Sequence, residues 1–331
     1  VQAQIIEVSC MEALRSLDEK EVKGKIVFFN NLVSNEVIEP VEGYKAVIPR
    51  LYGANLASEK GAVACIMRSI SAIKDEYVHT GCMRYDNLSD KIPAVAISTE
   101  EADALSDLLL LKPEQRVNLK VLSESKEKET ANVIAEIRGN EKPEEVIVIG
   151  AHIDTWYNTP GAHDDGAGCV QMIDVLRIMN ELKIENKRTI RIILFMDEEM
   201  NKSGATAYVN QYQGGEETFI AAIESDLGGY EPCGFQLDGT ENELDQMKTF
   251  GDLLTPYGLY RLEKGFGGGD MMVLKQEFGF PSIALKVNSQ RYFDIIHTEK
   301  DSFDKINRRE LQLGTAAITS MVYLIDKYGL N

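Results

Sequence analysis

Short apolar runs alternate along this chain with longer segments whose apolar positions recur at helical spacing, the pattern of an α/β protein. Val1–Val8 alternates as a half-buried strand does, and Lys25–Asn30 (KIVFFN) is a short apolar strand. Tyr44–Lys60 reads as a helix stopped by Gly61, followed directly by a buried strand, Ala62–Met67. Ile92–Ile97 is another strand, with Pro93 tolerable near its start. Ser98 and Glu101 have capping-box spacing and open a helix through Leu111, and Val117–Leu122 closes this unit as a strand. Ser123–Thr130 (SESKEKET) is polar throughout and marks a boundary between a small first domain, residues 1–125, and a second, residues 126–331.

The second domain continues the alternation. Its expected strands are Asn132–Ile137, Val146–Ile153, Thr189–Met196, Phe219–Ser225 and Pro281–Val287. Helices are expected over Gly168–Leu182, Ser203–Tyr212, Leu244–Leu254, Asp270–Phe278 and Arg309–Tyr328. Val146–Gly150 is apolar without interruption, which marks a central strand covered on both faces and predicts a mostly parallel sheet between helical layers.

Composition changes this picture little. Apolar residues at 44% and charged residues at 27% of 331 are ordinary for a globular chain, and no apolar run approaches membrane-spanning length. A formal charge of −18 argues against nucleic acid or an anionic membrane as partner, since both require a basic footprint. No signal segment opens the chain, and a strand pattern from Val1 suggests that it begins inside a fold. The five cysteines are scattered, without Cys-x-x-Cys spacing, and read as small hydrophobes. Cys169, Met172, Ile173, Leu176 and Met179 form an apolar helical stripe.

Ligands of open α/β sheets bind beyond the carboxyl ends of the strands, and there this chain places carboxylates and histidines. His152 and Asp154 follow the strand beginning at Val146, at a spacing that suits a metal-binding imidazole and the carboxylate that orients it. Asp164 and Asp165 lie in a glycine-rich turn, where their adjacent charges call for a dication. The strand from Thr189 runs into Asp197-Glu198-Glu199, and the strand from Phe219 into Asp226. His297 follows the last strand in a polar loop, with Asp301 as a candidate partner. Nitrogen and oxygen ligands without thiolates suit zinc. Two ions about 3.5–4 Å apart could share Asp164, with one of Glu198 and Glu199 as a ligand and the other as general base.

Competing chemistry lacks its residues. Gly265–Gly269 (GFGGG) has no Lys-Ser/Thr of a phosphate loop, Ser225 stands in no Gly-x-Ser-x-Gly elbow, and His-Glu-x-x-His is absent. His79 and Asp86 are isolated in the first domain, and His79 is read as a loop residue or at most a rim contact, with no chemistry assigned to that domain.

GAHID, PGAHDDGAG, KRTIRIILFMDEEM, ESDLGG and IIHTEKDSF, in this order and spacing, resemble the co-catalytic zinc aminopeptidases of peptidase family M28, in particular the carboxypeptidase Q (plasma glutamate carboxypeptidase) type. GKIVFFN, KGAVACIMRS, HTG and KIPAVAIS are similar to the protease-associated domain inserted in such enzymes, so the resemblance spans nearly the whole chain. It implies a three-layer zinc-exopeptidase domain that removes N-terminal residues from dipeptides or short peptides. Carried over residue by residue, one zinc takes His152, Asp164 and Asp226, and the other Asp164, Glu199 and His297. Glu198 becomes the general base, and Asp154 the carboxylate behind His152. Family members often read Ser-Asp-His where this chain has Gly269-Asp270-Met271, so Asp270 alone is carried over, as a substrate-orienting group. His163, just before the shared Asp164, is read as structural. The resemblance also implies an extracytoplasmic location, periplasmic or secreted, a homodimer, and a further N-terminal segment that this sequence lacks. Glutaminyl cyclisation at a single zinc, and a non-catalytic binding protein like the transferrin receptor ectodomain, are the alternatives on the same scaffold.

Overall fold

The computed structural model describes residues 1–33, 40–86 and 90–330, with backbone alone for 40–46. It divides into two compact units, the first formed by Val1–Lys128 with Trp156–Thr159 and Gln290–Lys300, the second by the remainder.

In the first unit the elements run β1 (Gln2–Val8), α1 (Met11–Ser16), α2 (Glu19–Val22), β2 (Ile26–Phe29), α3 (Pro40–Glu59), β3 (Ala64–Arg68), β4 (Ala94–Ile97), α4 (Thr99–Leu111) and β5 (Arg116–Asn118). The sheet order is β4-β3-β2-β1-β5, parallel except for β5 against β1. Successive strand residues point to opposite faces, so Val27 and Phe29 pack towards Leu14 and Ala54 on one side, while Ile26 and Phe28 meet Ala102 on the other. The expected capping box is formed: Ser98 Oγ accepts from Glu101 N at 3.1 Å and the Glu101 carboxylate accepts from Ser98 N at 3.0 Å. The last strand is shorter than the expected Val117–Leu122, since β5 ends at Asn118 and Leu122 is exposed.

In the second unit the elements are β6 (Val133–Ile137), β7 (Lys142–His152), α5 (Ala167–Glu181), β8 (Arg188–Phe195), α6 (Ser203–Tyr212), β9 (Thr218–Glu224), β10 (Pro232–Asp238), α7 (Glu241–Lys248), α8 (Gly251–Leu254), β11 (Arg261–Lys264), α9 (Gly269–Phe278), β12 (Ser282–Val287) and α10 (Arg308–Tyr328). The sheet order is β11-β10-β12-β9-β7-β8-β6, with β6 antiparallel to β8 and β10 antiparallel to β12. The central strands β12, β9, β7 and β8 are mutually parallel.

Both faces of β7 are apolar because each is covered. Ile147, Ile149 and Ala151 pack with Met172 and Val175 of α5 and Ile318 and Met321 of α10. Val146 and Val148 face Ala205 and Tyr208 of α6 and Met271 and Leu274 of α9. Each fully buried Val, Ile, Leu or Met among these stabilises the fold by roughly 1.5–3 kcal/mol. Of the stripe expected on α5, Met172 and Met179 are buried and Cys169 and Leu176 pack against the same core, whereas Ile173 is exposed and Val175, outside the expected set, is buried. The helix expected over Leu244–Leu254 is two helices, α7 and α8, separated at Thr249 and Phe250. All five cysteines are free. Among the described residues no helix is long and apolar enough to cross a membrane.

Candidate metal centre

Because β9, β7 and β8 are adjacent and parallel, their carboxyl ends open onto one edge of the sheet. His152, the last residue of β7, is buried there. Its Nε2 lies 3.2 Å from Asp164 Oδ1 and 3.4 Å from Asp226 Oδ1. His152, Asp164 and Asp226 each offer a ligand atom within 4.8 Å of the others, and Glu199 offers an oxygen within the same distance of Asp164.

Nδ1 of His152 is 3.0 Å from the backbone oxygen of Asp154 and 3.6 Å from its carboxylate. The carbonyl is thus the nearer acceptor, so the orienting bond expected from the Asp154 side chain comes mainly from its main chain. That leaves the Asp154 carboxylate to accept from the backbone N–H groups of Glu198 at 3.1 Å and Glu199 at 3.4 Å. Asp154 therefore ties the loop after β7 to the Glu198–Glu199 turn after β8.

Asp164 and Asp165 share an irregular turn, Ala162–Gly166, and each has a different task. Asp165 accepts from the N–H of His152 and of Gly168, both at 3.1 Å, and so fixes the end of β7 to the start of α5. Asp301 accepts from the N–H of His163 at 2.7 Å and of Asp164 at 3.0 Å. Its carboxylate thus holds the backbone of the Asp164 turn. His163 behaves as the structural residue expected, stacked on Tyr230 at 4.4 Å with Nδ1 accepting from Gly229 N at 3.1 Å.

So many carboxylates in one dry place repel each other. Burial pushes the Asp226 carboxyl up to about 8, with Asp164 and Glu198 adding to it and His152 opposing. Burial also raises Asp165 well above the carboxylate range, reinforced by Asp226 and Asp164. Burial disfavours a charge on His152, yet Asp154, Asp164 and Asp226 outweigh it and raise its pKa. A buried imidazole flanked by carboxylates, with no thiolate among them, fits a zinc-type dication, which would supply the positive charge this cluster needs.

Two residues that the sequence did not single out complete the surroundings. Lys202, in left-handed backbone with φ 55°, directs its ammonium onto Glu198 Oε1. Glu224, the last residue of β9, is buried and accepts from the N–H groups of Gly269 at 2.8 Å and Met271 at 2.9 Å, capping α9. This explains the GFGGG run: a Cβ on Gly268, where φ is 112°, would lie 2.2 Å from Glu224 Oε2. Asp270 lies in the first turn of α9 beside that cap, fully buried, and its carboxylate oxygens have no hydrogen-bond partner among the described residues. Burial, then Glu224 and Glu198, pushes its carboxyl up to about 9.

His297 is placed in the first unit, buried, within the Gln290–Lys300 segment. His79 is in a loop as read, but it is buried rather than at a rim, with Nε2 2.8 Å from the backbone oxygen of Phe293.

The small residues of the Asp164 turn are required by space. A Cβ on Gly168 would lie 2.2 Å from the backbone oxygen of Ser225 and 2.5 Å from Asp165 Oδ1. Neither can yield without moving β9 from α5, so Gly168→Ala is expected to cost about 1–3 kcal/mol. Thermal unfolding of the full chain should show this as a fall of roughly 2–4 °C per kcal/mol.

The profile of Peptidase family M28 matches residues 132–322. Carboxypeptidase Q of Bos taurus is 27% identical to this chain over 327 residues, which cover 98% of this chain and 67% of that protein. For carboxypeptidase Q of Xenopus laevis the identity is 30%, covering 98% of this chain and 68% of that protein. The crystal structure of a peptidase M28 precursor from Shewanella amazonensis SB2B has a TM-score of 0.91 at 29% identity, covering 98% of this chain and 74% of that one. A zinc aminopeptidase from Bacillus subtilis shares the fold, with a TM-score of 0.63 at 19% identity over 98% of this chain and 74% of that one. The matched span contains the whole strand-end cluster just described, and the chain belongs to peptidase family M28 as a carboxypeptidase Q-like member.

Proposed function

We propose that this metallo-exopeptidase works with two zinc ions and cleaves the N-terminal peptide bond of dipeptides or short peptides. The observation that carries the two-metal reading is the position of Asp164, whose carboxylate lies within ligand distance of both the His152–Asp226 pair and Glu199. We assign His152, Asp164 and Asp226 to one zinc, and Asp164, Glu199 and His297 to the other, His297 being carried over from the family resemblance. When bound, zinc polarises the scissile carbonyl and brings the ionisation of water down towards pH ~7.

The chain's own residues supply the proton transfers. Glu198 takes a proton from the attacking water as its oxygen bonds to the carbonyl carbon, then gives that proton to the nitrogen as the C–N bond breaks. Lys202 and the backbone bond to Asp154 hold Glu198 in place for both transfers. Asp270, buried in the first turn of α9 with carboxylate oxygens that have no hydrogen-bond partner among the described residues, is the group we assign to orient the amino terminus of the peptide. We further propose that residues 1–125 form a protease-associated domain, that the protein acts outside the cytoplasm, and that it pairs as a homodimer.

Zinc content of the purified protein should saturate at about two ions per chain, accompanied by hydrolysis of a dipeptide panel. Saturation at one ion, with cyclisation of N-terminal glutamine in place of hydrolysis, would transfer the assignment to glutaminyl cyclase chemistry.

A further inference from the structure

The His79-Thr80-Gly81 segment has no role in the chemistry above, yet it grips the residue assigned as the second zinc's histidine. We infer that the first unit sets the metal-binding form of His297, through a clamp made of the Thr80 backbone and the Arg50 guanidinium. This rests on the assignment of His297 as a zinc ligand.

The clamp closes on both the main chain and the ring of His297. Thr80 N donates to His297 O at 2.9 Å, while Thr80 O lies 3.0 Å from His297 Nδ1. Arg50, on α3, places Nη1 2.8 Å from the same Thr80 oxygen and 3.3 Å from His297 Nδ1. A carbonyl oxygen has two lone pairs and no proton, so it can accept from both nitrogens at once. A bare Nδ1 could accept from Arg50 Nη1 only at the longer 3.3 Å, while its lone pair faced those of Thr80 O at 3.0 Å; with Nδ1 protonated, both nitrogens donate to Thr80 O over the two shorter contacts. The arrangement therefore selects the tautomer with the proton on Nδ1, leaving Nε2 with the lone pair that a metal requires.

The surroundings fix the ring as well as the tautomer. His297 has φ 57°, left-handed backbone that a non-glycine residue adopts only at a cost, and the bond from Thr80 N to its carbonyl helps to hold it there. Trp156 packs against the imidazole with ring centroids 5.8 Å apart. His79, through Phe293 O, anchors the same segment four residues upstream. Gly81 leaves room for Arg50: a Cβ there would lie 2.5 Å from Nε of the guanidinium. Arg50 is thus a positioning residue, acting on the metal through Thr80 and His297 and touching no substrate.

The test compares full-length wild type with Arg50→Met and Arg50→Lys, by elemental analysis and by competition with a chromophoric zinc chelator. Wild type should hold about two zinc ions. Arg50→Met should keep the first site and bind the second roughly 10–100-fold more weakly, the loss typical of removing a group that orients a metal ligand. Arg50→Lys, which still donates to Thr80 O, should recover part of that affinity, and it serves as the folded comparison if the methionine variant is unstable. Unchanged affinity at the second site in either folded variant overturns the clamp, as does equal weakening of both sites. A wild type that binds one zinc would overturn the two-metal reading instead, and is told apart by requiring no variant.

Discussion

Glu198→Gln is expected to retain both zinc ions and lose turnover by roughly 10²–10⁴-fold, the contribution of a positioned general base. Glutamine has nearly the same shape, so packing beside Gly269 and the backbone bond to Asp154 survive. What disappears is the ability to take a proton from water and return it to the leaving nitrogen. Glu199→Gln should behave differently, with zinc falling towards one ion per chain, because its oxygen stands within ligand distance of Asp164. Elemental analysis beside dipeptide kinetics separates the two. If Glu199→Gln kept its zinc while Glu198→Gln lost it, the roles of base and ligand would be exchanged.

Asp164→Asn should have the largest effect of any single substitution in the cluster. On the proposed assignment Asp164 serves both ions, so its loss should weaken both sites and zinc content should fall below one ion per chain. Losing the charge stabilisation that bound metal supplies removes several kcal/mol, which corresponds to on the order of 10³-fold or more in turnover. The substitution is nearly isosteric, and Asp301 still holds the backbone of the turn through its two N–H groups. The variant should therefore remain folded, so circular dichroism close to that of wild type is part of the expected result. Retention of two tightly bound ions would remove Asp164 from the bridging position.

Much of the architecture could be read from local pattern. The uninterrupted apolar run at Val146 and the adjoining helical stripes predicted a covered parallel strand, and β7 is packed on both faces. β10 and β11 were missed for a local reason as well. Pro232 and Gly234 are residues that strands avoid, and the sequence of β11, RLEK, is charged and short. These strands exist because β10 pairs with β12, some fifty residues later in the chain.

The strand-end carboxylates and histidines were legible because each stands next to a recognisable strand or glycine turn. By itself the sequence determined the α/β class, the main helices and strands, and which residue types reach the ends of β7, β8 and β9, since hydrophobic periodicity and capping act over a few residues. Tertiary structure alone decided the partners of those residues. Glu224 caps α9 across 45 positions, Asp301 supports Asp164 across 137, and Thr80 meets His297 across 217. A hydrogen bond depends on two groups arriving at about 3 Å with the right orientation, and that meeting is set by strand order and chain crossings, which no local pattern encodes.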